Sequence, residues 1–240
     1  GLGIPAEPLF RSRDGSSTLT FYCDYDQWLR IGTTYSLNED SFLPDWSSDA
    51  ASISTVIFDP SFAAARPTTT SSWFSDMPGL SLITDIQYLN TSEVVYMNNM
   101  FDGCNTLPEV DLSHFDTRKV INMNYMFAYS SLSELDLSTF DTHSVTDMEG
   151  MFTGCSSLST ITVGKDWTIE NVANSIDMFN DCYTLVGGNG TAYDSDHTDA
   201  TYARFDFGEE NPGYLTGKFE PYAALYDGKL TFYYDMAREE

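Results

Sequence analysis

The residues able to do chemistry in this 240-residue sequence are few in kind: three histidines, four cysteines and a large excess of carboxylates. An acyl-transfer enzyme needs a nucleophile, a base and a group that orients the base. His114, His143 and His197 are the candidate bases. In a chain this rich in serine and aspartate, a Ser-His-Asp set can be assembled around any histidine, so such a match carries no weight. No glycine-rich phosphate loop and no zinc-protease helix motif is present. Carboxylate pairs for glycoside hydrolysis stay open, because their separation is invisible in sequence. Asp194-x-Asp196-x-Thr198-Asp199 resembles the start of a calcium loop. It lacks the central glycine and the distal bidentate glutamate, so turn formation explains it better. The expectation is a non-enzyme with no cofactor and no metal site.

Charge narrows the partners. Eleven Lys and Arg stand against 36 Asp and Glu, a formal net charge of −25. Such a chain repels nucleic acid, whose affinity rests on neutralising phosphates, and anionic membrane surfaces. Hydrophobic residues make up 42% of the chain and aromatics 15%, enough for a real core. No run of 18 apolar residues exists, so no membrane insertion is expected. Gly1-Leu2-Gly3-Ile4-Pro5 has neither the basic segment nor the apolar core of a signal peptide.

The elements that must position any site are repeats. Met-Phe pairs begin at Met100, Met126, Met151 and Met178, spaced by 26, 25 and 27 residues. Each is followed by an alternating segment, as in Leu135-Asp136-Leu137-Ser138, then by Phe140-Asp141-Thr142, Val145 and Met148. The alternation predicts a short strand, with Leu135 and Leu137 inward and Glu134, Asp136 and Ser138 outward. Val145, Met148, Met151 and Phe152, spaced by three, three and one, predict one face of a short helical segment. Neither element buries its apolar face alone, but stacked copies do. Degenerate copies run upstream through Leu80, Ile83, Asp85 and Ile86 from Trp73-Phe74, with Ile53, Val56 and Phe58 earlier still.

The pattern Met-Phe-x-x-Cys-x-x-Leu-x-x-Leu-x-Leu-Ser-x-Phe-Asp-Thr-x-x-Val-x-x-Met resembles the BspA-like leucine-rich-repeat surface proteins of bacteria, from about Ser52 to Leu185. The resemblance implies an exported, surface-displayed solenoid associated with adhesion and protein binding. The fold class expected is α/β: a leucine-rich-repeat solenoid with a parallel sheet of short strands, flanked by small β-hairpin caps. The copy at Met126 departs from the pattern, being one residue short and without the cysteine. Cys104, Cys155 and Cys182 hold equivalent positions. Cys104 lies two copies from Cys155, too far for a disulfide, whereas Cys155 and Cys182 lie in adjacent copies. Buried thiols are the favoured reading for them, with the bond left open. Cys23 has no obvious partner.

The two ends resemble each other. Glu7-Pro8, Asp14-Gly15 and Leu19-Thr20-Phe21-Tyr22 recur as Glu220-Pro221, Asp227-Gly228 and Leu230-Thr231-Phe232-Tyr233, offset by 211–213 residues. The second set reads as a hairpin around Asp227-Gly228. Four parts are expected: an N-terminal β cap over 1–51, the repeats over 52–186, an irregular closing segment over 187–219, and a C-terminal hairpin over 220–240. The likeness of the ends suggests a larger repeated module or a matched pair of caps.

Two binding surfaces are candidates. Asp85, Asp111 and Asp136 are expected to stack along the outer strand face, with Glu109 and Glu134 in a neighbouring row. Such rows repel internally and suit a cation or a basic peptide. Aromatic residues of the N-terminal cap, Trp28 and Trp46 foremost, suit a glycan. The function expected is an extracellular interaction or adhesion module on a bacterial cell surface, monomeric, with a protein ligand. A glycan-binding module and a plain spacer are the alternatives.

Overall fold

A computed structural model of the protein describes residues 10–13, 17–24, 33–37, 43–218, 222–226 and 229–233. Successive repeats lie side by side, most with a short strand on one side, and with tight turns on the other. β1 (Phe10–Arg13), β2 (Thr18–Tyr22), β3 (Thr33–Ser36), β4 (Thr55–Phe58) and β5 (Leu82–Thr84) form one sheet in the order β3-β1-β2-β4-β5. β1 runs antiparallel to β2 and β3, whereas β2, β4 and β5 are parallel. β6 (Glu134–Leu137), β7 (Thr160–Val163) and β8 (Leu215–Gly217) form a second, wholly parallel sheet. β9 (Tyr222–Tyr226) and β10 (Lys229–Tyr233) form an antiparallel pair of their own. In β6 the alternation reads as expected: Leu135 and Leu137 are buried, Glu134 and Asp136 exposed.

The expected helical segments are turns instead. Among the described residues the only helices are short 3₁₀ turns, so the α/β expectation gives way to strands and turns. Val145, Met148, Met151 and Phe152 are fully buried, as their spacing requires. The same spacing, however, also fits consecutive three-bond turns. Met100 N–H reaches Met97 O at 3.4 Å and Cys104 N–H reaches Phe101 O at 3.2 Å. The alternate N–H groups leave the coil: those of Met97, Asn99, Phe101 and Gly103 donate to Asn122, Asn124, Met126 and Ala128 O at 2.8–3.0 Å. An α-helix would keep these donors to itself. Parallel bridges continue this side of the stack through Thr69, Tyr96, Asn122, Asp147 and Asn174.

Each double turn needs two left-handed residues four positions apart, Asn99 and Gly103 in one coil, Gly150 and Gly154 in another. At Gly154 (φ +71°) a Cβ would also lie 2.3 Å from the ring of Tyr129, the corresponding residue of the preceding coil. The glycine therefore serves both the backbone conformation and the stacking distance.

The stacked coils share one interior. Phe101, Phe127, Phe152 and Phe179 form a ladder with ring centroids 5.5–5.8 Å apart and planes within 12°. Phe74 adjoins it at one end, and Tyr214 closes it edge-on at the other. All four cysteines are free thiols. Cys104, Cys155 and Cys182 each donate to a phenylalanine carbonyl of the preceding coil, Phe74, Phe127 and Phe152, at 3.0–3.2 Å. In the shortened copy Ser130 takes the cysteine place and stands 3.6 Å from the Cys155 sulfur. Burial pushes all three thiols up, Cys155 to about 11. Reactivity depends on the thiolate, so these three are expected to resist iodoacetamide at pH 8 in the native protein and to react fully in guanidinium. Mass spectrometry of native alkylated protein checks this, and modification of Cys155 before unfolding contradicts it.

At the far end the closing segment is fixed by Asp206, which is 4% exposed. Its carboxylate accepts the N–H groups of Asn189, Thr191 and Gly208 and the Thr191 hydroxyl at 2.7–3.0 Å. Burial alone would raise its pKa, but these donors outweigh burial and hold it below the usual carboxylate range. A carboxyl whose folded pKa is depressed stabilises the fold above its unfolded value, and loses that contribution as pH falls through the folded value. The melting temperature is expected to drop as pH falls below about 4, and Asp206→Asn to flatten that drop. Thermal melts of both proteins from pH 7 to pH 2 check it.

Candidate binding groove

The two sheets do not join. The coil between them, Pro108 to Leu112, carries no strand, so the sheet is not the continuous one expected. Two features of the sequence cause the break. Ser81 and Ser159 precede their strands and donate N–H bonds to Ser54 O (3.0 Å) and Ser133 O (2.8 Å) in the preceding coils. Pro108 holds the same repeat position and has no N–H to give. One coil earlier the chain carries an extra residue: Leu80 and Ile86 are six positions apart, against five for Leu107–Leu112 and Leu132–Leu137. The surplus is absorbed at Asp85, in left-handed conformation at φ 60°, and β5 ends at Thr84. An inserted residue reverses the facing of every later side chain in a strand unless a kink takes it up.

The coils on either side of the break are stitched at two points. Thr106 Oγ1 donates to Pro78 O or Leu80 O, each at 2.9 Å. Asp116 N–H donates to Thr91 Oγ1 at 2.7 Å. Between these points runs a groove with two hollows of about 420 and 370 Å³ that share Gln87. Leu82, Ile83 and Val110 line the larger hollow with Asp85, Glu109 and Asp111, and no lysine or arginine lines either hollow. Leu82 is 50% exposed. Among the described residues, the N–H groups of Glu109, Val110 and Asp111 donate to no protein acceptor. Hydrogen bonds from the Ser113 side chain and N–H hold Asp111 below the usual carboxylate range, so it is ionised at neutral pH. The cations at the far end are engaged: Arg118 binds Asp116, and Lys119 binds Glu93 at 2.7 Å.

The acidic residues are thus distributed otherwise than the sequence suggested. Asp85, Glu109 and Asp111 gather at the groove. Asp136 and Glu134 sit on β6, opposite Thr162 and Thr160. Asp136 is bridged by Lys218 at 2.8 Å. Asp85 is a kink and Asp111 lies off any strand, although Asp111 still feels the charge of Asp136 in the next coil. Trp46 offers no platform to a sugar: it is fully buried, donates its indole N–H to Trp73 O at 2.7 Å and meets Phe21 edge-on. Trp28 lies outside the described residues.

Around His114, Ser113 Oγ (3.1 Å) and Asp111 (3.9 Å) both approach the same ring nitrogen, so the relay geometry of a triad is absent there. Asp194 and Asp199 accept backbone N–H bonds from Asp196 and Thr201, each two residues on, as turn formers do. Among the described residues no group of three or more His, Cys, Asp or Glu could hold a metal ion. No helix there is long and apolar enough to cross a membrane. Leu82, Val110 and Pro108 are the groove residues that sequence reasoning passed over. The proline and the extra residue were the signals available.

The crystal structure of a leucine-rich repeat protein from Bacteroides ovatus ATCC 8483 is similar at 13% sequence identity and a TM-score of 0.35, over 78% of this chain and 52% of that one. The chain therefore spans about half the length of that protein. A search of curated proteins gives no match. The family described as "Mycoplasma protein of unknown function, DUF285" matches residues 68–189, a stretch that includes every turn-side bridge from Thr69 to Asn174 and both walls of the groove. With just over half of its residues so matched, the chain belongs to the DUF285 family.

Proposed function

We propose that this chain is a leucine-rich-repeat solenoid displayed on a bacterial surface, and that it holds an extended, basic segment of a partner protein in the groove between β5 and the Pro108–Leu112 coil. The observation that carries this reading is the run of unpaired backbone donors at Glu109–Asp111, set beside exposed Leu82 and three carboxylates with no lysine or arginine in the lining. An extended peptide takes affinity from main-chain hydrogen bonds and specificity from alternate side chains. Here apolar side chains would face Leu82, Ile83 and Val110, and cationic ones would face Asp85, Glu109 and Asp111. The rest of the stack is a rigid support, since every neighbouring coil is bonded on its turn side.

The test is a calorimetric titration with an eight-residue peptide of alternating lysine and valine. Binding is expected, weakening with salt. Glu109→Lys and Asp111→Lys are each expected to weaken it about tenfold or more, because like charges now meet. Glu170→Lys, on an exposed turn away from the groove, is expected to leave it unchanged. Equal binding by all four proteins removes the groove from the account, and so does equal binding of a serine–valine peptide.

A further inference from the structure

The hairpin β9–β10 is built as a second copy of β1–β2. The sequence Leu-Thr-Phe-Tyr is common to β2 (Leu19–Tyr22) and β10 (Leu230–Tyr233). The register is common too. Phe10 pairs with Tyr22, Arg11 with Phe21 and Ser12 with Thr20 in the first hairpin. Tyr222 pairs with Tyr233, Ala223 with Phe232 and Ala224 with Thr231 in the second.

The first hairpin has a clear task. The outer edge of β2 pairs in parallel with β4, Leu19 opposite Val56 and Phe21 opposite Phe58. Leu19 and Phe21 are fully buried, and Phe21 stacks on Phe58 at 4.7 Å and on Trp73 at 5.1 Å. The hairpin thus starts the stack by giving its first coil a strand and an apolar lid. The second hairpin repeats these residues, yet among the described residues β10 pairs with β9 alone. The parallel stack itself closes elsewhere, on β8 and the parallel bridge from its Leu215 to Phe205.

We infer that β10 is a docking strand for the first coil of a second unit of this same kind, pairing Leu230 and Phe232 with the residues of that unit that correspond to Val56 and Phe58. A strand edge without a strand partner among the described residues can take up a strand that matches it, and β4 shows which sequence matches this one. The interaction is separate from the groove and stands whether or not the groove binds a peptide.

A tandem protein tests it: residues 1–235 followed by residues 25–240, joined where Asp235 aligns with Asp24. Amide exchange is read at residues 229–233 in the tandem and in the 240-residue chain. The tandem is expected to slow these amides about 100-fold, bringing them near the protection of residues 18–22. Unchanged exchange in the tandem overturns the inference. Phe232→Asp provides a second reading by differential scanning calorimetry. In the tandem it is expected to lower the melting of the second unit while the first is unaffected, and in the 240-residue chain to leave the melting of the coils unchanged. Identical melts of the tandem with and without Phe232→Asp also overturn it.

Discussion

Replacing Phe127 with alanine is expected to remove about 3–5 kcal/mol of stability. Phe127 is fully buried at the middle of the ladder, 5.6 Å from Phe101 and 5.8 Å from Phe152, with planes within 2° of both. The neighbouring coils cannot collapse into the space, because backbone bonds hold them at fixed spacing: Phe101 N–H to Met126 O at 2.8 Å and Phe127 N–H to Met151 O at 3.0 Å. The cost is therefore lost transfer free energy plus a retained cavity. In a stack whose units contact only their neighbours, a weak central interface also divides cooperativity. Guanidinium unfolding is expected to show a lower midpoint and a broader or split transition. A loss below about 1 kcal/mol with an unchanged slope contradicts the shared interior.

The second large effect concerns the groove. Deleting Asp85 and changing Pro108 to serine removes both causes of the sheet break at once. The deletion restores the five-residue spacing between Leu80 and Ile86, and the serine of Pro108→Ser supplies the N–H that its counterparts Ser81 and Ser159 donate. The double variant is expected to extend pairing from β5 through residues 109–112 into β6, fill the groove with its own backbone and reduce binding of the lysine–valine peptide about 100-fold or more. Its stability is expected to rise by about 1 kcal/mol or more as unpaired backbone groups gain partners. A stable double variant that still binds the peptide at the original affinity contradicts the assignment of the site. Because stability and binding move in opposite directions, the result differs from that of a damaged fold.

The sequence showed the stack because its apolar residues recur in register, and burial keeps to that register at Leu135, Leu137, Val145, Met148 and Met151. It misled about the turn side because a spacing of three serves both a helix and a chain of tight turns. Gly150 and Gly154, four apart, were the sign of turns, but their meaning lies in the rings of Tyr125 and Tyr129 one coil earlier. Gly164 shows the same limit. It aligns with Ser138, which the alternation points outward, yet it is buried, and a Cβ there would lie 2.1 Å from Ser138 O. The acidic residues were visible as a set. Their separation into a groove and a strand face was not, since it depends on one missing N–H at Pro108 and one surplus residue at Asp85. Trp46 was visible as an aromatic of the cap, and its burial under Phe21 and Trp73 depends on how the cap folds over the first coil.

If the break in the sheet receives an extended basic segment, the backbone amides beside it must change on binding. Amide exchange at Glu109, Val110 and Asp111, with and without saturating lysine–valine peptide, tests it most directly. Fast exchange is expected at all three amides in the free protein, and slowing of about tenfold or more on binding at those whose N–H faces β5, with Glu134–Leu137 unchanged. Peptide binding that leaves the three amides as fast as before would contradict it.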